Sequence, residues 1–463
     1  MSLTRELVAE LWEWDLTDFD DADLLAVRNL FLDHVAAAAW GSTIEAGRIV
    51  REHAAHDVGG TGPPLAVIGT SLELPAVAAA MANAVAAACF EFDDTHTAGS
   101  LHPGAVIFPA AMAAATLAGS DRATFVRAVV IGYEVMCRVG RAVNPHAHRA
   151  RHFHPTSTTG HFGAAAAASV CAGLDVDTTV AALTLAGTAA GGNMQFVLEG
   201  GWTKQVHPAF AVQRGISGAL LAARGFPGVK DPIGGPRAFL ESQSEAPRPD
   251  ALLDGLGAQP REVRRTGIKP YPSCRNTQSP LDALLRLRHQ HGLVADDVRS
   301  VEFGLIAPAL PTIFLPPERR RRPRTLADAQ FSMPYVAAVA LTDGRVGLEQ
   351  FRAERILDPS LQPLMDAVDC VHDPALDARY PAHWPAWARV TTTDGTSVET
   401  TVEHPRGDPE NPLADTDLAA KLTDLTAHCF APERRDRLWA EASALRSDDP
   451  LSALLEPLSG DED

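Results

Sequence analysis

Apolar residues recur at helical spacing through most of the first 225 positions of this 463-residue chain. Over 21–40, Leu24, Val27, Phe31 and Val35 fall three and four apart, which places them on one face, and Gly41 follows as a stop signal. The same pattern predicts helices over 77–89, 105–118, 122–143, 163–173, 178–188 and 211–224. Several of these are dense in alanine and carry few polar residues. A helix that is apolar on nearly every side is buried, and small side chains let its neighbours approach closely. These segments therefore read as a packed core.

The pattern shifts after Phe226. Residues 227–265 are richer in proline, glycine and charge, and 298–306 reads as a strand. The β-branched runs 389–393 and 396–403 are split by Asp394-Gly395, a two-residue loop that predicts a hairpin. Helices are expected over 327–341 and 348–355, and helical periodicity returns over 415–445. The chain should thus be mainly α. A large all-α helical domain is expected from both chain ends, 1–267 and 405–463, with a smaller α+β lid domain, 268–404, inserted between them. No internal repeat is apparent.

Composition narrows the function classes. A net charge of −18 argues against a general nucleic-acid or anionic-membrane binder. No apolar run approaches the ~18–20 residues of a membrane span, and the early acidic residues do not read as a signal peptide. Six scattered cysteines without a C-x-x-C pair fit reduced, cytoplasmic usage. The basic residues are 36 arginines and only four lysines, Lys204, Lys230, Lys269 and Lys421. Lysine and arginine are not interchangeable in a tight site, so these positions merit inspection.

Four segments could carry chemistry. The first, 90–96, ends a long apolar helix in Glu91, Asp93, Asp94, Thr95 and His96 and leads to His102-Pro103. Acid–base work on a small molecule needs such groups at the edge of a dry core, although a polar helix end offers the same residues for capping. The second, 146–157, holds His146, His148, His152 and His154. Their spacing does not suit a metalloprotease helix, and no acidic residue lies between Glu134 and Asp175, so an acid–base or anion-binding loop is preferred to a metal site. The third and fourth, 200–208 and 267–275, place Lys204 and Lys269 in Gly/Pro/aromatic loops. Lys230 sits in a plain loop, and Lys421 on the C-terminal helix is expected to be solvated. The Arg319–Arg322 run, flanked by prolines, reads as a solvated loop or an intersubunit contact. Cys274 reads as a buried thiol.

In this order, the segments resemble the MmgE/PrpD family. The resemblance rests on the acidic-Asp-Asp-Thr…His-Pro stretch at 91–103, Gly132-Tyr133-Glu134-Val135 with Arg138, and Phe153-His154-Pro155-Thr156 with Gly160 and Phe162-Gly163. Trp202-Thr203-Lys204…His207-Pro208 and Lys269-Pro270-Tyr271-Pro272-Ser273-Cys274 complete it. It implies a homodimer, no cofactor and no obligatory metal, with the site between the domains. Carried over residue by residue, it implies His102, His154, Asp94 and Lys204 as catalytic, and Glu91, Thr95, Lys269 and Tyr271 as substrate-binding. The decarboxylase-like members usually have Asp at Glu91's position, and Gln278 stands where a His is frequent. The stretch Asn193-Met194-Gln195-Phe196 looks more like the epimerase-type and uncharacterised branches than the methylcitrate enzyme.

The chemistry such a resemblance implies is proton movement beside a carboxylate of a small polycarboxylate. The first expectation is a 2-methylcitrate dehydratase-like lyase. Alternatives are an epimerase of an imino- or amino-dicarboxylate and a cis-aconitate-type decarboxylase. Lys204 and Lys269 would clamp the carboxylate, His102 would be the main acid–base group, and His154 would assist it. His96 is expected to be a loop residue that supports the site. A non-catalytic scaffold and a metal-dependent hydrolase are the rival classes.

Overall fold

The computed structural model describes residues 2–60 and 62–460. It is mainly α, with a small sheet. The chain divides into two compact units. One comprises residues 1–195, 202–268 and 414–463, and the other 196–201 and 269–413. None of the described helices is long and apolar enough to cross a membrane.

The first unit is built on α1 (Asp21–Gly41), α2 (Ala76–Ala88), α3 (Gly104–Ala118), α4 (Arg122–Ala142), α5 (Pro155–Cys171), α6 (Val176–Gly187) and α7 (Thr203–Ala223). Asp20 caps α1 in a reciprocal arrangement with Asp23, and left-handed Gly119 ends α3. Two helices begin eight residues before their expected starts. Helix α5 takes in Thr156 and Ser157, and α7 takes in Lys204 and His207. Pro155 is tolerated at the first position of α5, where its missing amide costs no hydrogen bond. The expected 146–157 loop is itself partly helical, over Pro145–Ala150.

The close approach predicted from the alanine content is achieved at helix glycines. A Cβ on Gly41 would lie 1.8 Å from the Ala86 carbonyl oxygen, so α1 and α2 touch backbone to backbone. A Cβ on Gly163 of α5 would stand 2.6 Å from Met136 Cβ and 3.1 Å from the Gly132 carbonyl oxygen of α4. The contacts are to backbone or to side-chain stems, which cannot move aside cheaply.

The second unit contains α8 (Arg275–His291), α9 (Met333–Asp343) and a four-stranded sheet. Its strands are β1 (Val298–Leu305), β2 (Val368–His372), β3 (Ala386–Thr392) and β4 (Ser397–Val402), in the order β2-β1-β3-β4. Only the β1–β2 pair is parallel. The hairpin turns at Asp394-Gly395 as expected, with Gly395 at φ +90°. The expected helix over 327–341 is two, Leu326–Gln330 and then α9, because Ser332 caps a new start.

The Arg319–Arg322 run corrects the expectation of a solvated loop. Arg320 is buried and donates to the Val197 carbonyl, and Arg319 pairs with Asp328 at 2.9 Å. Arg321 donates to the Val368 carbonyl and stacks over Phe314. The Arg320 bond ties Phe196–Gly201 into the second unit. The last helices, α10 (Asp415–Thr426) and α11 (Pro432–Ser443), return to the first.

Gly41→Ala should lower the unfolding free energy by more than ~2 kcal/mol, the upper part of the range for overpacked cores. Urea denaturation measures it, and an unchanged midpoint would refute the backbone contact.

Candidate functional site

Helix α2 runs apolar to Ala88 and then stops. Glu91 takes φ +57°, a left-handed conformation uncommon for any residue but glycine, and turns the chain into the acidic segment. Glu91, Asp93, Asp94 and Thr95 are all buried. Burial of charge is costly unless each group is answered by partners, and the partners come from several helices.

Asp94 accepts from the Tyr133 hydroxyl of α4 at 2.7 Å and from the Gly104 amide at the start of α3 at 2.8 Å. A Cβ on Gly104 would fall 2.8 Å from that carboxylate, so the position needs glycine. Burial raises the Asp94 carboxyl to about 8, against the pull of the Tyr133 hydrogen bond. Both Asp94 oxygens are thus engaged within the protein.

Lys204, in the first turn of α7, forms an ion pair with Glu91. The neighbouring Gln205 amide donates to the Cys89 carbonyl at 3.4 Å. His207, one turn further on, has its Nδ1 2.9 Å from His154 Nδ1, so one ring donates to the other. Burial lowers His154 well below the usual imidazole range, with His207 and His102 adding to it. His207 falls to about 4, through burial and then the Lys204 charge. Both rings are therefore neutral near pH 7.

His154 stands at the N-terminal boundary of α5, where its amide donates to the Gly192 carbonyl. Gly192 has φ +118°, and a Cβ there would fall 2.4 Å from Ser157 Oγ. Only glycine lets the 192–193 strand pass so close.

His102 Nδ1 lies 2.8 Å from the Asp94 carbonyl oxygen and 3.3 Å from Thr95 Oγ1. A carbonyl only accepts, so Nδ1 carries the proton and Nε2 is the position that can exchange one. The His102 amide donates to Thr156 Oγ1 of α5, and Asp93 Oδ1 is 3.7 Å from the ring. His96 is committed elsewhere. Its Nε2 faces Glu262 at 2.7 Å and its Nδ1 accepts from the Gly99 amide, as suits a supporting residue.

The first unit thus gathers Glu91, Asp94, Thr95, His102, His154 and Lys204 around the ends of α2, α5 and α7. Lys269 and Tyr271 belong to the second unit. Lys269 is buried there, and the Tyr271 hydroxyl donates to Asp282 at 2.6 Å. Gln278 Nε2 donates to the Tyr271 and Ser273 carbonyls and so braces the 271–273 turn. That is the work done by Gln278, at a position where a His is expected to be frequent.

Two family models match this chain, the MmgE/PrpD N-terminal domain over residues 7–251 and the MmgE/PrpD C-terminal domain over residues 271–446. The chain belongs to the MmgE/PrpD family. It is 29% identical to a cis-aconitate decarboxylase-like protein of Aspergillus oryzae, with 98% of each chain covered. It is 27% identical to cis-aconitate decarboxylase of Aspergillus terreus, over 87% of this chain and 85% of that one. The human cis-aconitate decarboxylase is 26% identical over 81% of this chain and 77% of its own.

Two participants escaped the sequence reading of this MmgE/PrpD chain. His207 was legible as part of the Lys-x-x-His-Pro run, but nothing local showed that it meets His154. Lys421 of α10 is buried, against the expectation of a solvated side chain. Its ammonium pairs with Asp33 of α1 at 2.5 Å, donates to the Phe92 carbonyl at 2.8 Å and lies 3.9 Å from the Phe92 ring centre. The acidic segment is thereby pinned by the C-terminal helices.

Lys421→Met should cost ~3–5 kcal/mol, the penalty for removing one partner of a buried ion pair. Asp33→Asn combined with Lys421→Met should cost less than the single change, and denaturant unfolding of both variants decides this.

Stability should also fall as pH drops from about 6.5 to 4. Burial depresses His148, His161 and His207 to about 4 and His34 to about 3. The unfolded chain binds protons at those rings first, and each contributes a slope of at most ~1.4 kcal/mol per pH unit. His161→Gln should flatten the dependence of the melting temperature on pH, and an unchanged slope would count against this source.

Proposed function

We propose that this chain is a cofactor-independent lyase that decarboxylates a small unsaturated tricarboxylate of the cis-aconitate type. The observation that carries the reading is the His102 ring. Its Nδ1 is fixed on the Asp94 carbonyl, and it sits among the neutral His154–His207 pair and the Lys204 ammonium. Near-full-length likeness to decarboxylases puts loss of carbon dioxide ahead of the dehydration expected first from the sequence.

In this reading Lys204 and Lys269 bind substrate carboxylates. The bond to the departing carboxylate breaks, and its electron pair forms a new double bond. The pair of the old double bond moves onto the carbon beside a second carboxylate. That carbon takes a proton from Nε2 of His102 in its imidazolium form, leaving the ring neutral with its Nδ1 proton on the Asp94 carbonyl, and Nε2 then regains a proton from solvent. The cations stabilise charge spreading onto the remaining carboxylate. His154 and His207 relay or orient, Thr95 and Tyr271 bind substrate, and Asp94 serves as an anchor. An incoming carboxylate competes with Glu91 for the Lys204 ammonium.

Proton NMR of tri- and dicarboxylates incubated in deuterated water separates the outcomes. Decarboxylation gives a deuterated product with carbon dioxide, dehydration gives an alkene from a hydroxy acid, and epimerisation gives exchange alone. His102→Gln should lower turnover by ~10²–10⁴. A loss within about tenfold would move the role to another histidine. Lys204→Met and Lys269→Met should each raise KM as well as lower turnover. The reading also takes the enzyme as a metal-independent homodimer. Turnover should survive exhaustive chelation, and light scattering at micromolar concentration should give twice the chain mass.

A further inference from the structure

We propose that His383, His404 and Glu410 form a binding site for one divalent cation of the zinc class, in the loops at the ends of the hairpin strands β3 and β4. The three side chains offer ligand atoms that all lie within 4.8 Å of one another. His383 Nδ1 is 3.8 Å from one Glu410 oxygen, and His404 Nδ1 is 3.7 Å from the other. Both distances exceed a hydrogen bond, so the groups converge without bonding to one another. The two rings stand perpendicular, with centres 4.7 Å apart, and both turn Nδ1 toward the same carboxylate. His404 Nδ1 is shielded from solvent and has no hydrogen-bond partner. A shielded ring nitrogen without a hydrogen-bond partner, set beside a carboxylate and a second imidazole, is a costly arrangement unless something bridges them.

Zinc–ligand bonds of about 2.0–2.2 Å in a tetrahedral site put neighbouring ligand atoms roughly 3.4 Å apart. The histidine–carboxylate separations of 3.8 and 3.7 Å are within a few tenths of an ångström of that spacing, and ligand atoms up to 4.8 Å apart would close by about an ångström through side-chain rotation. Two imidazoles and one carboxylate are a borderline donor set that suits zinc or cobalt(II) better than magnesium or calcium. Three protein ligands leave the fourth position for water.

The surrounding loops are already built. Gly407 donates to the Asn411 carbonyl and Asn411 to the Asp408 carbonyl, closing 404–411 on itself. The Asn411 side chain donates to the His404 carbonyl. Asp408 takes both its hydrogen bonds from one nitrogen of Arg275, at 3.0 and 2.7 Å. On the other segment, the His383 amide donates to the Arg379 carbonyl, and Arg379 pairs with Glu403. A cation here would clip the segment before β3 to the loop after β4. It would be structural and would take no part in the reaction proposed above.

The test uses chelator-treated full-length protein titrated with cobalt(II) and followed by visible d–d absorption, then competed with zinc(II). One equivalent should bind, zinc should abolish the band, and zinc should raise the melting temperature. His404→Ala and Glu410→Gln should each weaken binding at least tenfold and lose the thermal shift. His383→Gln, on the other segment, should do the same and serves if either variant fails to fold by circular dichroism. No saturable band in the wild-type protein, or a band with an unchanged midpoint in the variants, overturns the site. Because binding is read directly, failure here is distinct from failure of the proposed decarboxylation.

Discussion

The constraint on which the first unit depends is the burial of an acidic segment inside an alanine-rich core. Alanine and glycine let α1, α2, α4 and α5 close to backbone contact, which leaves little room for water to solvate Glu91, Asp93 and Asp94. Each polar group must then be met by a partner that the packing itself delivers. Tyr133 of α4 and the Gly104 amide of α3 bond Asp94, Lys204 of α7 pairs with Glu91, and Lys421 of α10 holds the Phe92 carbonyl between them. The left-handed turn at Glu91 is the geometric cost of swinging a helix end into that environment.

The same constraint sets the chemistry. A dry, closely packed surround drives His154 and His207 toward neutrality while the Lys204 ammonium remains nearby. Neutral rings can exchange protons and a cation can hold a carboxylate, which are the two requirements of the reaction proposed above. Asp94 illustrates the other side of burial. Its oxygens are engaged by the fold, and its value lies in fixing the carbonyl that orients His102.

Much of this was legible in the chain itself. Apolar periodicity marked α1 to α4 and α6 to within a residue or two, and Asp394-Gly395 marked the hairpin. Helices α5 and α7 start eight residues before their apolar period does, because polar side chains such as Thr156, Ser157, Lys204 and His207 fill their first turns. Those polar first turns are also where the candidate site residues collect. The count of four lysines drew attention to Lys204 and Lys269, but Lys421 looked like any charge on an amphipathic helix. Its burial depends on Asp33 and Phe92, hundreds of residues away, and no local pattern encodes that. The Arg319–Arg322 run failed for the same reason, since its acceptors are the carbonyls of Val197 and Val368 and the carboxylate of Asp328.

The ion pair between Asp33 and Lys421 also bears on how the protein is made. Lys421 leaves the ribosome hundreds of residues after Asp33. Through that interval the growing chain holds a carboxylate destined for the core without the ammonium that will answer it. Helices α1 to α7 can collapse around their alanines early, but the core cannot seal around the acidic segment until α10 arrives. Completion of the first unit thus waits on an element far downstream, and a chain that stops short of α10 keeps Asp33 buried without its cation.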